Sequence, residues 1–187
     1  RSVFDERTIL GGLTPELHAR VVSVVLEKSI GRLPLFSGIP PSLQTAVFPF
    51  LKPVSLKAGD IVFENGTASS SMMFLLEGTV HVLNPVDGKT PVCLLRKNEC
   101  VWLDEDGTEL SSFPWMCCLG QSALTGARRP ATHVARTTCA MLTIDRADIL
   151  AIFQSDSKSM VAVCTAVLED LAKIKRRLRF MKRLLIR

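Results

Sequence analysis

The feature that most constrains the fold is a series of short apolar segments separated by glycine turns, between residues 57 and 95. Gly59, Gly66 and Gly78 each follow or precede a polar residue, as expected at tight turns. Between two of these turns, residues 72–76 are an unbroken Met-Met-Phe-Leu-Leu run, which predicts a buried strand. Several short strands closed by glycine turns are typical of a small antiparallel barrel or jelly roll.

The strand pattern continues beyond this first group. Residues 79–83 alternate between apolar and polar and predict a half-buried strand, and residues 91–95 predict the next one. The Asp87-Gly88 pair between them indicates a tight hairpin. Two further strands are predicted at 133–137 and 140–144.

Helices are predicted on both sides of this β region. Residues 5–33 have helical periodicity, and Thr14, followed by Pro and Glu, has the character of a helix N-terminus. A short helix is predicted at 146–154. A long final helix begins at about residue 156, because apolar residues recur every three or four positions from Met160 onwards.

The composition is that of a folded domain. The chain has 187 residues, of which 47% are hydrophobic and 22% charged, so it can bury one sizeable core and carry helical extensions. No run of about 18 apolar residues occurs, so no membrane helix is expected in this sequence. The net charge of +5 is concentrated in residues 173–187, which are either a solvated helix face or a surface for an acidic partner, lipid or nucleic acid.

Neither metal binding nor catalysis is indicated. The six cysteines have no Cys-x-x-Cys spacing and no companion histidine, so we expect no metal site and a reducing compartment. The three histidines are isolated in the sequence, and we assign them no chemistry. No nucleophile–base pair or carboxylate pair stands out, and we therefore expect a protein that is not an enzyme.

The segment 119–132, LGQSALTGARRPAT, has the character of a cradle for one small phosphate. Gly120 would let the backbone approach an anion, and the N–H groups of residues 120–123 would point at it. Arg129 is the natural clamp for the phosphate oxygens, because a guanidinium can donate two parallel hydrogen bonds. On composition alone, a loop with two solvated arginines is the alternative.

The order of these motifs resembles the cyclic-nucleotide-binding domain family. Ala-Gly-Asp, Glu-Asn-Gly, Leu-Leu-Glu-Gly-x-Val-x-Val, the cradle and Arg-x-Ala-Thr follow one another over residues 35–153. The resemblance implies an α+β fold, in which an antiparallel β jelly-roll barrel spans residues 35–155. It also implies linker helices at 1–34 and a C-terminal lid helix with a basic tail at 156–187.

The segment that precedes the predicted barrel indicates which members of the family the chain resembles. Leu-Thr-Pro-Glu-Leu, followed later by Leu-Pro-Leu-Phe-Ser-Gly-Ile-Pro-Pro, resembles the end of the linker in hyperpolarisation-activated, cyclic-nucleotide-gated and related potassium channels. That resemblance implies a regulatory domain on the cytosolic face of a membrane. The domain would belong to a tetrameric cation channel and contact other subunits, and the membrane segments would lie upstream in a longer chain. We expect no nucleic-acid partner.

The resemblance also implies which residues bind the nucleotide. Gln121 stands where the family usually has a Glu that accepts a hydrogen bond from the ribose 2′-hydroxyl. An amide oxygen can still accept that bond, without the charge. Pro130, following the clamp, has no hydroxyl for guanine, which favours cAMP over cGMP. The implied ligand-binding residues are Gly120, Gln121, Ser122, Ala123, Arg129, Pro130, Ala131, Thr132, Lys173 and Ile174.

The sequence departs from the family between residues 96 and 118. Residues 97–102 are predicted to form a strand, and the polar stretch 103–115 reads as an inserted loop or extra hairpin beside the pocket, with a turn at Asp106-Gly107.

Three alternative functions stay open. One is a homology domain that binds no nucleotide and has a structural role in a channel. Another is the regulatory domain of a kinase or sodium/proton exchanger. The last, a bacterial-type transcription factor, would need a helix-turn-helix after the lid helix.

Overall fold

The computed structural model describes Thr14, residues 46–114 and 118–154, and five single positions near the C-terminus. The predicted linker helices at 1–34 and most of the predicted lid helix therefore lie outside the described residues. The five C-terminal positions are helical; four are exposed and Ala172 is half-buried, and they are Val161, Thr165, Glu169, Ala172 and Arg176.

The described part consists mainly of short strands. A 3-10 turn at Phe48–Phe50 precedes the first strand. The strands are β1 (Lys52–Leu56), β2 (Ile61–Phe63), β3 (Ser71–Glu77), β4 (Val80–Leu83), β5 (Pro91–Arg96), β6 (Glu99–Leu103), β7 (Glu109–Pro114), β8 (Cys118–Leu119), β9 (His133–Ala135) and β10 (Cys139–Asp145). Two α-helices have both ends within the described residues, α1 (Ser122–Thr125) and α2 (Arg146–Gln154).

These strands form two antiparallel sheets. One has the order β1-β10-β3-β8 and the other the order β2-β9-β4-β5-β6-β7. Phe74 and Met141 of the first sheet and Val80 and Trp102 of the second belong to one buried cluster, so the core lies between the sheets. The prediction of an antiparallel, jelly-roll-like β domain is confirmed at this level.

The predicted hairpin at Asp87-Gly88 is present between β4 and β5. Asp87 Oδ1 accepts hydrogen bonds from the backbone N–H groups of Lys89 (2.8 Å) and Thr90 (3.0 Å), and Gly88 has a φ of +67°. The bond from Lys89 is the main cause of a lowered pKa for Asp87. The side chain thus closes the turn that the sequence indicated.

Residues 97–102 are not one continuous strand. Lys97 and Asn98 form the turn between β5 and β6, and Asn98 has a φ of +63°, which Asn tolerates better than most residues. The strand β6 begins only at Glu99, and β7 pairs with it in an additional hairpin. Asp104 Oδ1 accepts from the N–H groups of Asp106 and Thr108 and stabilises the connecting turn, as the inserted polar stretch suggested.

The helix α2 follows β10 directly, with the bounds that the sequence predicted. The backbone N–H of Arg146 donates to the carbonyl of Ser70 (2.8 Å), and Asp145 is ion-paired with Lys52 (2.7 Å). None of the helices in the described ranges combines the length and the apolar character needed to cross a bilayer.

Candidate functional site

A partly open cavity of about 130 Å³ lies among β4, β5, β6, β8, α1 and β9. It brings together six of the predicted ligand-binding residues: Gly120, Gln121, Ser122, Arg129, Pro130 and Ala131. Ala123 and Thr132 are close in sequence but do not line it. Lys173 and Ile174 lie outside the described residues, so their predicted contact with a ligand stays a prediction.

Gly120 occupies a position that other residues would fill badly. Its φ is +80°, and an added Cβ would collide with Arg129 Nη1 and lie 2.9 Å from the carbonyl oxygen of Ser71. Glycine is therefore required here both for the backbone conformation and for the close approach of the Arg129 guanidinium.

Arg129 is buried, with 3% of its surface exposed. Its Nη1 donates to the carbonyl of Gly120 (3.1 Å), its Nη2 donates to the carbonyl of Ser71 (2.6 Å), and the guanidinium lies 3.7 Å from the centre of the Phe63 ring. No carboxylate among the described residues forms an ion pair with it. Burial lowers its pKa, because the charged form loses hydration that no acid in the described part replaces.

The side chain of Gln121 is buried and faces the turn that precedes it. Its Nε2 donates to the carbonyl of Cys118 at 2.7 Å. No hydrogen bond among the described residues uses its Oε1, so this atom can accept one from a ligand. A glutamate could not donate the bond to Cys118 when ionised, which gives the amide a structural role that the sequence did not reveal.

The beginning of α1 is held by hydrogen bonds to neighbouring backbone and side chains. The hydroxyls of Ser122 and Ser69, both buried, lie 2.6 Å apart. The N–H of Ala123 donates to the carbonyl of Gly120 at 2.9 Å. The amide of Ala123, which was predicted to face the anion, is thus already bonded in this structure.

The residues after the clamp have different roles. Pro130 is exposed and Ala131 is buried, and both line the cavity. Thr132 instead bonds away from it, because its hydroxyl accepts from the N–H of Asn65 (3.1 Å) and its carbonyl accepts from the N–H of Leu83 (2.9 Å). Thr132 therefore fixes the segment that joins the clamp to β9.

Sequence reasoning missed Phe63 and His133. The two residues are paired across β2 and β9, with ring centres 5.8 Å apart in an edge-to-face arrangement, and both line the cavity beside Arg129. Burial holds the pKa of His133 down to about 4, so the ring is neutral at pH 7, and its Nδ1 lies 3.1 Å from the carbonyl of Ala131. The sequence did contain one signal for His133: it begins the predicted strand that directly follows the Arg-x-Ala-Thr motif.

The wall opposite the clamp was also missed. Trp102 of β6 lines the cavity and stacks on Phe113 of β7, with ring centres 6.1 Å apart and planes 27° apart. Beside it, the Sγ atoms of Cys93 and Cys100 lie 2.8 Å apart. The hydrogen bond with Cys100 and burial raise the pKa of Cys93, so that thiol stays protonated.

The cradle is tied to the following helix by Arg146. Its Nε donates to the carbonyl of Ala123 at 2.7 Å, while its backbone N–H is bonded to Ser70. The segment Ser69–Ser71 thus contacts α1 through Ser69, α2 through Ser70 and the clamp through Ser71.

In chemical terms the site is suited to binding. A buried cation and an available amide oxygen stand at one end, and apolar and aromatic side chains form the rest of the wall. The described residues contain no group of three or more His, Cys, Asp or Glu side chains that could hold a metal ion. A compact organic anion is the class of ligand that such a cavity accommodates.

No family model matches the chain. The chain is 35% identical over 81 residues to the potassium/sodium hyperpolarization-activated cyclic nucleotide-gated channel 2 of Mus musculus, covering 43% of this chain and 9% of that protein. It is 28% identical over 142 residues to channel 4 of the same name in Homo sapiens, covering 76% of this chain and 10% of that protein. For human channel 3 the identity is 32% over 81 residues.

The aligned region spans about a tenth of the length of these curated relatives. The similarity supports a domain related to part of a cyclic-nucleotide-gated channel, and the relatives are ion channels and not enzymes.

Proposed function

We propose that this chain is a cyclic-nucleotide-sensing regulatory domain of a tetrameric cation channel, on the cytosolic face of a membrane. Binding of the ligand at the cavity would couple to gating through the helices that flank the β domain. A ligand can shift a gating equilibrium only through its different affinity for the two states. The membrane segments and the other subunits belong to the proposal, and so does the contact of the ligand with Lys173 and Ile174.

The observation that carries the proposal is the environment of Arg129. Its guanidinium is buried, lies beside Gly120, and has no acidic partner among the described residues. A buried charge without a counter-ion is costly, and an anionic ligand removes that cost. Two of its five N–H donors are bonded to backbone carbonyls, so others are left for phosphate oxygens.

The remaining lining residues fit a nucleoside cyclic phosphate. In this proposal the Oε1 of Gln121 accepts a hydrogen bond from a ribose hydroxyl, and the apolar wall of the cavity contacts the base. Pro130 offers neither a hydroxyl nor an N–H to a guanine amino group, which is why we propose cAMP in preference to cGMP.

A homology domain that binds no nucleotide is the second candidate, and one observation favours it. The amide of Gln121 and the guanidinium of Arg129 already bond to backbone carbonyls, so both have structural roles. In such a domain these bonds would stabilise the β8–α1 turn, and the cavity would serve no ligand.

Calorimetric titration of the 187-residue chain with cAMP and cGMP separates the two candidates. We expect cAMP to bind more tightly than cGMP. Arg129→Ala should weaken cAMP binding by at least about thirtyfold, which corresponds to about 2 kcal/mol for a lost charge-assisted contact. Arg129→Lys, which keeps the charge and loses the planar fork, should give a smaller loss.

Arg128 offers the matched control. It is the neighbouring arginine, is exposed, and donates to the carbonyl of Gly66, away from the cavity lining. Arg128→Ala should leave cAMP affinity within about twofold. Wild-type protein that is folded by circular dichroism and gives no heat with either nucleotide would favour the homology domain.

A further inference from the structure

The additional hairpin formed by β6 and β7 contributes an aromatic wall to the cavity. Trp102 is 3% exposed and lines the cavity together with Cys100, its neighbour on the same face of β6. Val101 and Leu103 are on the opposite face of that strand and form a separate buried cluster with Leu94. The alternation of the strand therefore directs Trp102, and not its neighbours, toward the ligand space.

Phe113 holds this wall in place from the strand β7. The stacked arrangement of Trp102 and Phe113 fixes the plane of the indole from one side. The turn of the hairpin is closed by the side chain of Asp104, and Glu109 at the start of β7 is ion-paired with Arg96 of β5. The indole is thus positioned by a hairpin that has its own supporting contacts.

A second, independent observation concerns the indole nitrogen. Trp102 Nε1 is the one buried side-chain N or O atom in the described part that has no hydrogen-bond partner. A buried donor without a partner is unfavourable and is rare in native cores. Trp102 lines the cavity, so an acceptor atom at the edge of a bound ring is the candidate partner for this N–H.

The size of the cavity agrees with a ring as the occupant. A space of about 130 Å³ is close to that of apolar cavities that hold one small aromatic molecule, so it suits the ring part of a ligand. At the other end, Arg129 provides the cation for an anionic group.

We infer that Trp102, positioned by Phe113, forms an aromatic subsite that receives the flat ring of the ligand and determines which base is preferred. This inference rests on the proposed function, since it places the base of a cyclic nucleotide beside the indole of Trp102 while Arg129 holds the phosphate. Trp102 is the contact residue, and Phe113 is a positioning residue.

The test uses the 187-residue chain carrying Trp115→Phe, which leaves Trp102 as the only tryptophan. Saturation with cAMP should change the emission of Trp102, because a purine beside the indole alters its surroundings. In calorimetry, Trp102→Leu should weaken cAMP binding by about tenfold or more, while Trp102→Phe, which keeps a ring, should lose only about threefold. The cAMP affinity of Phe113→Leu should lie between those of the wild type and Trp102→Leu.

Val101→Ala is the matched control, because Val101 is on the same strand, is equally buried, and faces away from the cavity. It should lower stability and leave cAMP affinity within about twofold. The inference is overturned if Val101→Ala and Trp102→Leu weaken binding equally, or if cAMP binds with no change in Trp102 emission. If wild type binds, Arg129→Ala abolishes binding and the Trp102 variants do not differ from wild type, the proposed function stands and the subsite is wrong. Absence of cAMP binding by the wild type overturns both.

Discussion

The cavity has a clamp end, formed by Gly120 and Arg129, and a hairpin end, formed by Trp102 and Phe113. Backbone conformation and hydrogen bonds hold the residues of the clamp end, whereas side-chain packing holds those of the hairpin end. Gly120 has a φ of +80°, and Arg129 is bonded to two backbone carbonyls. Trp102, by contrast, is held by stacking on Phe113 and lies beside the thiols of Cys93 and Cys100. A position fixed by backbone geometry tolerates few residues, while a packed wall can be rebuilt with other side chains of similar volume. If the chain binds a cyclic nucleotide as proposed, substitutions at the two ends should change phosphate recognition and base preference independently of each other.

The largest effect should come from Gly120→Ala, at the clamp end. The positive φ and the approach to the Ser71 carbonyl and the Arg129 guanidinium should lower the free energy of unfolding by about 3 kcal/mol. Gly107→Ala is the control, because Gly107 has nearly the same φ, +81°, and nothing within 4 Å of an added Cβ. It should cost about 1 kcal/mol, and urea unfolding measures both. Equal losses would mean that close approach does not restrict the clamp end.

The next effect is a pH dependence from His133, which lies beside Arg129 at the clamp end. Its pKa is about 4 in the folded chain and about 6.5 when unfolded, so the unfolded state binds more protons between these values. Stability should therefore fall by about 2 kcal/mol as the pH is lowered from 6.5 to 4, after allowance for partial exposure. His133→Gln should flatten this slope in urea midpoints measured across the range. If the slope is unchanged in His133→Gln, the pH dependence does not come from His133. His81, whose pKa is also lowered by burial, would then be its source.

The smallest effect should come from Ser122→Ala, in the turn that carries the clamp. Removing this hydroxyl leaves the buried Ser69 hydroxyl without its partner, at a cost of about 1 kcal/mol. The double variant Ser69→Ala/Ser122→Ala should recover part of that loss, because no buried hydroxyl remains unpaired. Thermal or urea unfolding of the three variants completes a double-mutant cycle. Additive losses would show that the two hydroxyls do not depend on each other.

The difference between the two ends also explains what could be predicted from sequence. The strands, the Asp87-Gly88 hairpin and the clamp turn depend on local signals, namely alternation, glycine and the neighbours of an arginine. The pairing of Phe63 with His133 depends on which strands are adjacent and in what register, and the sequence does not state either. Trp102 was missed for the same reason. The start of β6 had to be known before its inward face could be assigned, and the Lys97-Asn98 turn shifts that start.

The segment Ser69–Ser71 has a consequence for how the domain would respond to force. Its three residues bond to α1, to α2 and to Arg129, so a displacement of α2 strains the clamp turn through contacts only one residue apart. Energetic coupling is reciprocal. If the proposed ligand repositions α2 when it binds, then a displacement of α2 imposed from outside must in turn change the affinity for that ligand. Under the proposed function, the domain would then sense mechanical load as well as nucleotide.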